Sequence, residues 1–162
     1  MVNFNLPPDF RAWVDQVIGK RLQNVLYELW IGTDNLVKSS HNPITIEMRF
    51  EGAPVATFNG HSDGASLIWK LNDLEPSDMG SDGYTILKSY FGVAPWKGLS
   101  NNRLGSVQRV FSDFDRTDVG LVFTFEDQSS VSILNLGNEL YSCAKIPPGT
   151  IKSEQLSFFD LT

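Results

Sequence analysis

Two stretches of the chain echo each other, and this internal similarity limits the folds that the chain can adopt. The matches follow the same order in both stretches, and the spacing between the second and third matches differs by one residue, at the turn. A repeated pattern of this kind predicts two similar structural units that pack on each other or join in one sheet. The matching segments are 21–25 with 103–107, 48–51 with 123–126, and 55–59 with 131–135.

Each stretch contains a pattern that is typical of an antiparallel hairpin. In residues 44–50, apolar and polar side chains alternate, which is the period of a half-buried strand. A turn and a second β-rich run follow, and the same sequence of features recurs from residue 121. One hairpin alone is marginally stable in water, so its apolar face needs a partner. We therefore predict an α+β fold, mainly antiparallel β, in which two related β-meanders form a sandwich or a strongly curved sheet.

An amphipathic helix precedes the first stretch. Phe10, Trp13, Val14, Val17 and Ile18 recur at helical spacing and form one apolar stripe. A glycine after Ile18 is a plausible end of the helix. A helix of this length depends on tertiary packing, so we expect it to lie on the sheet.

The length of 162 residues suits a single domain with a substantial core. Residues 21–31 fit either a helix or a strand, and the echo at 103–111 favours a strand. Residues 84–91 fit a short helix or strand, and residues 156–161 are apolar enough to dock. The predicted segments are the helix at about 8–18, pseudo-repeat 1 at about 21–71, a connector at about 72–102, pseudo-repeat 2 at about 103–145, and a C-terminal tail at 146–162.

The apolar runs are too short to cross a bilayer, and residues 1–6 carry no basic segment ahead of an apolar one. We therefore expect a soluble, cytoplasmic protein. The single cysteine, Cys143, fits a reducing compartment. Its place in a β-rich run predicts a small packed side chain rather than a nucleophile.

The negative charge is concentrated in two regions. Residues 47–82 carry seven acidic side chains against Arg49 and Lys70, and residues 113–139 carry six against Arg116. An acidic surface disfavours nucleic acid and favours a basic protein partner, with an attraction that weakens as salt rises. Solubility alone is the other explanation for these acids.

The segment Asp113-Phe114-Asp115-Arg116-Thr117 resembles the first motif of haloacid dehalogenase-like phosphatases. That resemblance implies a nucleophile at Asp113, an acid/base at Asp115 and a bound Mg²⁺. Such chemistry belongs on a parallel sheet, whereas the pattern around this segment predicts hairpins, so we expect an acidic turn. A calcium loop beginning at Asp113 fails at its sixth and twelfth positions, and His41 and His61 lack zinc-ligand spacing. The sequence therefore predicts no metal, no cofactor and no catalytic residue.

Two tryptophans are candidates for a recognition role, because aromatic side chains dominate interface hot spots. Trp69 lies in a predicted strand and is expected in the core. Trp96 lies in the predicted connector between Pro95 and Lys97, and it is the better candidate for an exposed anchor.

Small size, an acidic balance and acid-rich hairpins together resemble the immunity proteins of bacterial toxin systems. This resemblance of overall type implies a protein without enzymatic activity that binds a cognate toxin domain and blocks its active site. The alternatives are a Mg²⁺-dependent phosphatase-like enzyme that uses Asp113 and Asp115, and a β-rich module that binds a small ligand between the repeats. The predicted partner-binding residues are Asp73, Glu75, Asp78, Asp82, Trp96, Asp113, Asp115 and Asp118.

Overall fold

The computed structural model describes residues 8–36 and 42–162. His41 and part of the predicted loop at 32–43 lie outside these ranges. Within them, no helix is long and apolar enough to cross a membrane.

The described residues contain two five-stranded antiparallel sheets, and the predicted fold class is confirmed. The first sheet has the strand order β4-β3-β2-β1-β5 and the second β9-β8-β7-β6-β10. In each sheet, four strands form a meander and a fifth strand returns to pair with the first. The strands of the first sheet are β1 (Leu22–Ile31), β2 (Thr45–Phe50), β3 (Ala56–Gly60), β4 (Leu67–Lys70) and β5 (Tyr84–Ser89). Those of the second are β6 (Leu104–Ser112), β7 (Thr117–Phe125), β8 (Ser130–Leu136), β9 (Glu139–Cys143) and β10 (Leu156–Asp160).

The segments that echo in the sequence occupy equivalent places in the two sheets. The first strand of each sheet has a register shift near its start, after Leu22 in β1 and after Leu104 in β6. Immediately before these strands, Arg21 and Arg103 pair with each other in an isolated antiparallel bridge. The first strands therefore begin side by side, and each sheet continues from this point.

The hydrophobic core lies between the sheets and under the helix α1 (Pro8–Val17). The indole of Trp13 is fully buried and contacts Phe50 and Phe58 of the first sheet and Phe123 of the second. Trp69 packs against this core and makes an edge contact with Phe10. Helix α1 thus closes the core by contacting both sheets, where the sequence predicted packing on one face.

The predicted connector and tail each contribute a strand. Residues 84–89 form β5, which pairs with β1, and residues 156–160 form β10, which pairs with β6. β4 and β5 are opposite edges of the first sheet, and β9 and β10 are opposite edges of the second. The connection between each of these pairs must therefore cross the outer face of its sheet. We call residues 71–83 the acidic crossover and residues 144–155 the helical crossover.

The two crossovers cover their sheets with different chemistry. The helical crossover contains α2 (Pro148–Ser153), and its Ile146 and Ile151 join an apolar cluster with Val110, Leu134 and Leu156 on the outer face of the second sheet. The acidic crossover lies instead on polar side chains of the first sheet, as described next.

Candidate acidic interface

The acidic crossover is held on the first sheet by hydrogen bonds to side chains that point outward. Ile46, Met48 and Phe58 face the core, so the residues between them in β2 and β3 face the crossover. These bonds fix the backbone of the crossover along its length. They join Thr57 Oγ1 to Asn72 Oδ1 (3.0 Å), the Leu74 amide to Glu47 Oε2 (2.8 Å), the Ser77 amide to Thr85 Oγ1 (2.6 Å), and Trp30 Nε1 to the Asp82 carbonyl (2.8 Å).

A layer of buried polar side chains separates the crossover from the sheet. Its members are Glu28, Thr45, Glu47, Thr57 and Thr85, each less than a tenth exposed. Glu47 is fully buried and accepts a hydrogen bond from Arg49 Nε at 2.5 Å. Burial raises the pKa of Glu28 above its ordinary value, because the charged carboxylate is poorly solvated there.

We expect the substitution Glu28→Gln to stabilise the protein at neutral pH. Because the folded-state pKa of Glu28 is raised, the unfolded chain releases this proton first, and stability falls as pH rises between the two pKa values. Glutamine removes the buried charge, so the free energy of unfolding at pH 7 should rise by on the order of 1 kcal/mol. Urea denaturation at several pH values measures this gain, which should vanish under acidic conditions, where Glu28 is protonated in both states. The exposed Glu75→Gln is the matched control, and an equal gain there would contradict the prediction.

The exposed side of the acidic crossover carries the four acids that the sequence singled out. Asp73, Glu75, Asp78 and Asp82 are all exposed, which agrees with their predicted place in a solvent-facing loop. Arg49 Nη2 lies 3.8 Å from Asp73 Oδ1, and an exposed ion pair of this kind contributes little to stability. The crossover therefore presents a rigid, negatively charged surface.

A shallow, open cleft of about 620 Å³ lies at the end of this surface. It lies between the start of the β1–β2 connection and the last part of the crossover, and Gly32, Asn35, Pro76, Asp78, Tyr84 and Thr85 are among the residues that line it. Tyr84 is the large aromatic wall of the cleft and is 43% exposed. The acidic crossover, Tyr84 and this cleft together form what we call the crossover surface.

One lip of the cleft is a tight turn that ends in a glycine. Gly83 has a φ of +110°, and a Cβ atom at this position would lie 2.0 Å from the Ile31 carbonyl oxygen. Only glycine, which has no Cβ atom, can bring its backbone this close to β1. Backbone hydrogen bonds from Met79 to the Gly83 carbonyl and from Gly83 to the Gly80 carbonyl close the turn.

Asp113 and Asp115 lie in the β6–β7 turn, on the other sheet. Both are exposed, and Phe114 between them is 67% exposed. The turn is tied to β10 and its neighbourhood, because the Asp113 amide donates to the Gln155 carbonyl at 3.1 Å and Ser157 Oγ donates to Asp113 Oδ2 at 3.3 Å. The expected acidic turn is present, and its exposed aromatic side chain is Phe114, which no pattern in the sequence singled out.

Asp118 does not belong to this exposed turn, and its predicted partner-binding role is wrong. It lies in β7, is 5% exposed and forms an ion pair with Arg109, whose Nη1 lies 2.6 Å from Asp118 Oδ1. Arg109 is itself 2% exposed, and its guanidinium lies 4.6 Å from the centre of the Phe159 ring. A carboxylate committed to a buried cation cannot meet a partner.

Trp96 is also buried, so the prediction of an exposed anchor is wrong. Its side chain has no exposed surface, and Nε1 donates a hydrogen bond to the Tyr27 hydroxyl at 2.8 Å. Tyr27 in turn bonds to Ser142 of β9 and stacks on Tyr90. Trp96 thus joins the connector to both sheets. The exposed aromatic beside the acids is Tyr84, which follows Gly83 directly in the sequence.

Asp113 and Asp115 are the catalytic pair of the phosphatase-like alternative, whose chemistry belongs on a parallel sheet. Asp113 and Asp115 occupy the exposed tip of an antiparallel hairpin. Among the residues that the structure describes, no three His, Cys, Asp or Glu side chains are grouped in a way that could hold a metal ion. His61 Nδ1 accepts a hydrogen bond from the Asp63 amide at 3.0 Å. Burial raises the pKa of Cys143, which keeps its thiol protonated at neutral pH.

Aromatic side chains fill the centre of the space between the sheets. Trp13, Phe58 and Phe123 contact one another there, where a ligand-binding module would need room. On the crossover surface and on the β6–β7 turn, exposed acidic side chains lie beside an exposed aromatic side chain. In comparisons with known proteins, no family model, no curated protein and no solved structure matches the chain.

Proposed function

We propose that the protein binds a basic protein partner without catalysing a reaction, and that it acts as an immunity protein which blocks the active site of a cognate bacterial toxin. The observation that carries this proposal is the crossover surface. Four exposed carboxylates are held on a hydrogen-bonded backbone next to a cleft with an exposed aromatic wall. A surface that is rigid before binding loses little conformational entropy when a partner docks.

Charge on this surface serves the encounter with the partner. The chain has a net charge of −6. Among the exposed acids of the crossover, Asp73 forms an ion pair with Arg49. Complementary charge raises association rates, and salt screens the effect over about 10 Å at 0.1 M. The exposed aromatic and the cleft supply the desolvated contacts that determine how long a complex lasts. Toxins that act on nucleic acid carry basic active sites, which fits this division of roles.

Capture experiments with matched charge variants test the proposal. The wild-type protein is immobilised and exposed to native lysate of the source organism, with the neighbouring reading frame co-expressed, at low and at high salt. We expect a basic partner that is retained at low salt and released at high salt. Replacing the four crossover acids by their amides, Asp73→Asn, Glu75→Gln, Asp78→Asn and Asp82→Asn, should slow association at low salt by about tenfold or more.

The β6–β7 turn provides the control. Asp113→Asn with Asp115→Asn removes two charges from the other sheet and should slow association less than the crossover variant does. In cells that express the toxin, the crossover variant should likewise protect less well than the β6–β7 turn variant. Failure to recover any salt-sensitive protein partner would contradict the proposal, and so would a partner whose toxic activity continues in the complex.

A further inference from the structure

We infer that the cleft of the crossover surface binds an arginine side chain of the basic partner. This inference rests on the proposed function, and it adds the chemical group that the cleft recognises. The relevant observation is a juxtaposition: an isolated antiparallel bridge pairs Asp78 with Tyr84, and both residues line the cleft.

Directly paired residues of an antiparallel bridge project their side chains to the same side, with Cβ atoms about 4.5 to 5.5 Å apart. The carboxylate of Asp78 and the ring of Tyr84 are therefore neighbours at the cleft. Both side chains are exposed, Tyr84 by 43%. One cation can contact the two at once, through hydrogen bonds to the carboxylate and through the face of the ring.

The carboxylate is fixed and still has capacity to accept. Asp78 Oδ1 accepts the Gly80 amide at 2.8 Å, which holds the side chain against the turn. This bond uses one lone pair, and an ionised carboxylate offers about four such sites. The tight turn at Gly83 and the bond from Trp30 Nε1 to the Asp82 carbonyl hold the rest of the lip in place. The pair is thus arranged before a ligand arrives.

The rest of the cleft favours a flat cation over a compact one. Its described lining contains Gly32, Gly80, Gly83, Pro76 and Thr85, and it includes no basic residue. A guanidinium is planar, stacks on aromatic rings and donates in parallel to carboxylate and carbonyl oxygens. An ammonium group is more strongly hydrated and lacks this fork of donors. The geometry therefore points to arginine rather than lysine.

A titration with blocked tripeptides tests this inference without the partner. The probes are Gly-Arg-Gly, Gly-Lys-Gly and the uncharged Gly-citrulline-Gly, and the readout is the change in backbone amide chemical shifts. We expect shifts that are concentrated at residues 76–85, with the arginine peptide binding more tightly than the lysine peptide and the citrulline peptide binding weakest. Tyr84→Ala and Asp78→Asn should each weaken the arginine peptide by about threefold to tenfold. Tyr84→Phe should preserve most of the binding.

Several outcomes would overturn the inference. They are no shifts with the arginine peptide, equal affinity for the arginine and lysine peptides, an unchanged affinity in Tyr84→Ala, and shifts of equal size at residues 113–116. The double variant Glu51→Gln with Glu126→Gln, which removes two exposed charges away from the cleft and from the β6–β7 turn, should bind the arginine peptide as the wild type does. A partner complex that forms with wild-type affinity in both Tyr84→Ala and Asp78→Asn would defeat the inference and leave the proposed function standing.

Discussion

Replacing Asp118 by alanine is expected to lower the free energy of unfolding by about 3 to 5 kcal/mol, the cost of breaking a buried ion pair from one side. Arg109, which is 2% exposed, would keep its charge while losing the carboxylate oxygen that lies 2.6 Å from Nη1. Its position beside the Phe159 ring does not replace that carboxylate. Urea denaturation followed by far-ultraviolet circular dichroism measures the loss.

Two further variants isolate the cause of this loss. Asp115→Ala removes an exposed carboxylate from the neighbouring turn, and its stability should stay within about 0.5 kcal/mol of the wild type. Arg109→Met combined with Asp118→Leu removes both charges and should recover much of the stability that Asp118→Ala loses. An Asp118→Ala protein as stable as Asp115→Ala would show that the ion pair does not hold the second sheet together.

Truncating Trp96 to alanine should cost about 3 to 5 kcal/mol, as for other fully buried large aromatic residues. The substitution opens a cavity where the connector meets both sheets, and it removes the hydrogen bond to Tyr27. Trp96→Phe keeps most of the packing, so its smaller loss reports on the hydrogen bond, which contributes about 1 kcal/mol. The measurement is the same urea denaturation.

The exposed Tyr84→Ala serves as the control for Trp96. This change should alter stability by no more than about 0.5 kcal/mol, because the side chain reaches into solvent. If Trp96→Ala proved as mild as Tyr84→Ala, the connector would not be part of the core. Trp96→Phe should also leave the affinity for the proposed partner unchanged, since Trp96 has no exposed surface.

Local patterns in the sequence were sufficient to predict the hairpin strands β2, β3, β7 and β8, whereas residues 84–91 stayed open to a helix or a strand and residues 156–161 were expected only to dock. Ile46, Met48 and Phe50 alternate along β2 and are buried, and the matches at 21–25 and 103–107 mark the starts of equivalent strands. The alternation of apolar and polar residues depends on one strand alone, so it predicts the buried face of that strand without knowledge of distant contacts. The strand at 22–31, which the sequence left open to a helix, is settled by its pairing with β2 and β5.

The two wrong site residues depend on contacts that no local pattern contains. Trp96 lies in a loop by sequence, but its indole is buried in the core and bonds to Tyr27, 69 residues away. Asp118 would face outward if β7 alternated regularly from Leu121. A bulge in β7 inserts one extra residue, so that Gly120 pairs with Val110 and Asp118 pairs with the next residue, Phe111. This places Asp118 on the same side of the sheet as Arg109.

The acids of the crossover were predictable because they are numerous and lie among turn-forming residues, whereas the cleft was not. Its formation requires the crossover to pass over the sheet and β5 to pair with β1. Only then does Tyr84 stand opposite Asp78 at the end of the acidic segment. A sequence signal did exist in the direct succession of Gly83 and Tyr84, since an aromatic after a turn glycine can begin an edge strand.

The different coverings of the two sheets have a consequence for how such a protein can change over generations. A covering embedded in hydrophobic side chains, such as the one that Ile146 and Ile151 provide, tolerates few replacements without leaving voids. A covering tethered by hydrogen bonds can exchange its outward residues freely, as long as its tethers at Glu47 and Trp30 persist. The outward residues of one half of the molecule can therefore vary while the other half preserves the fold.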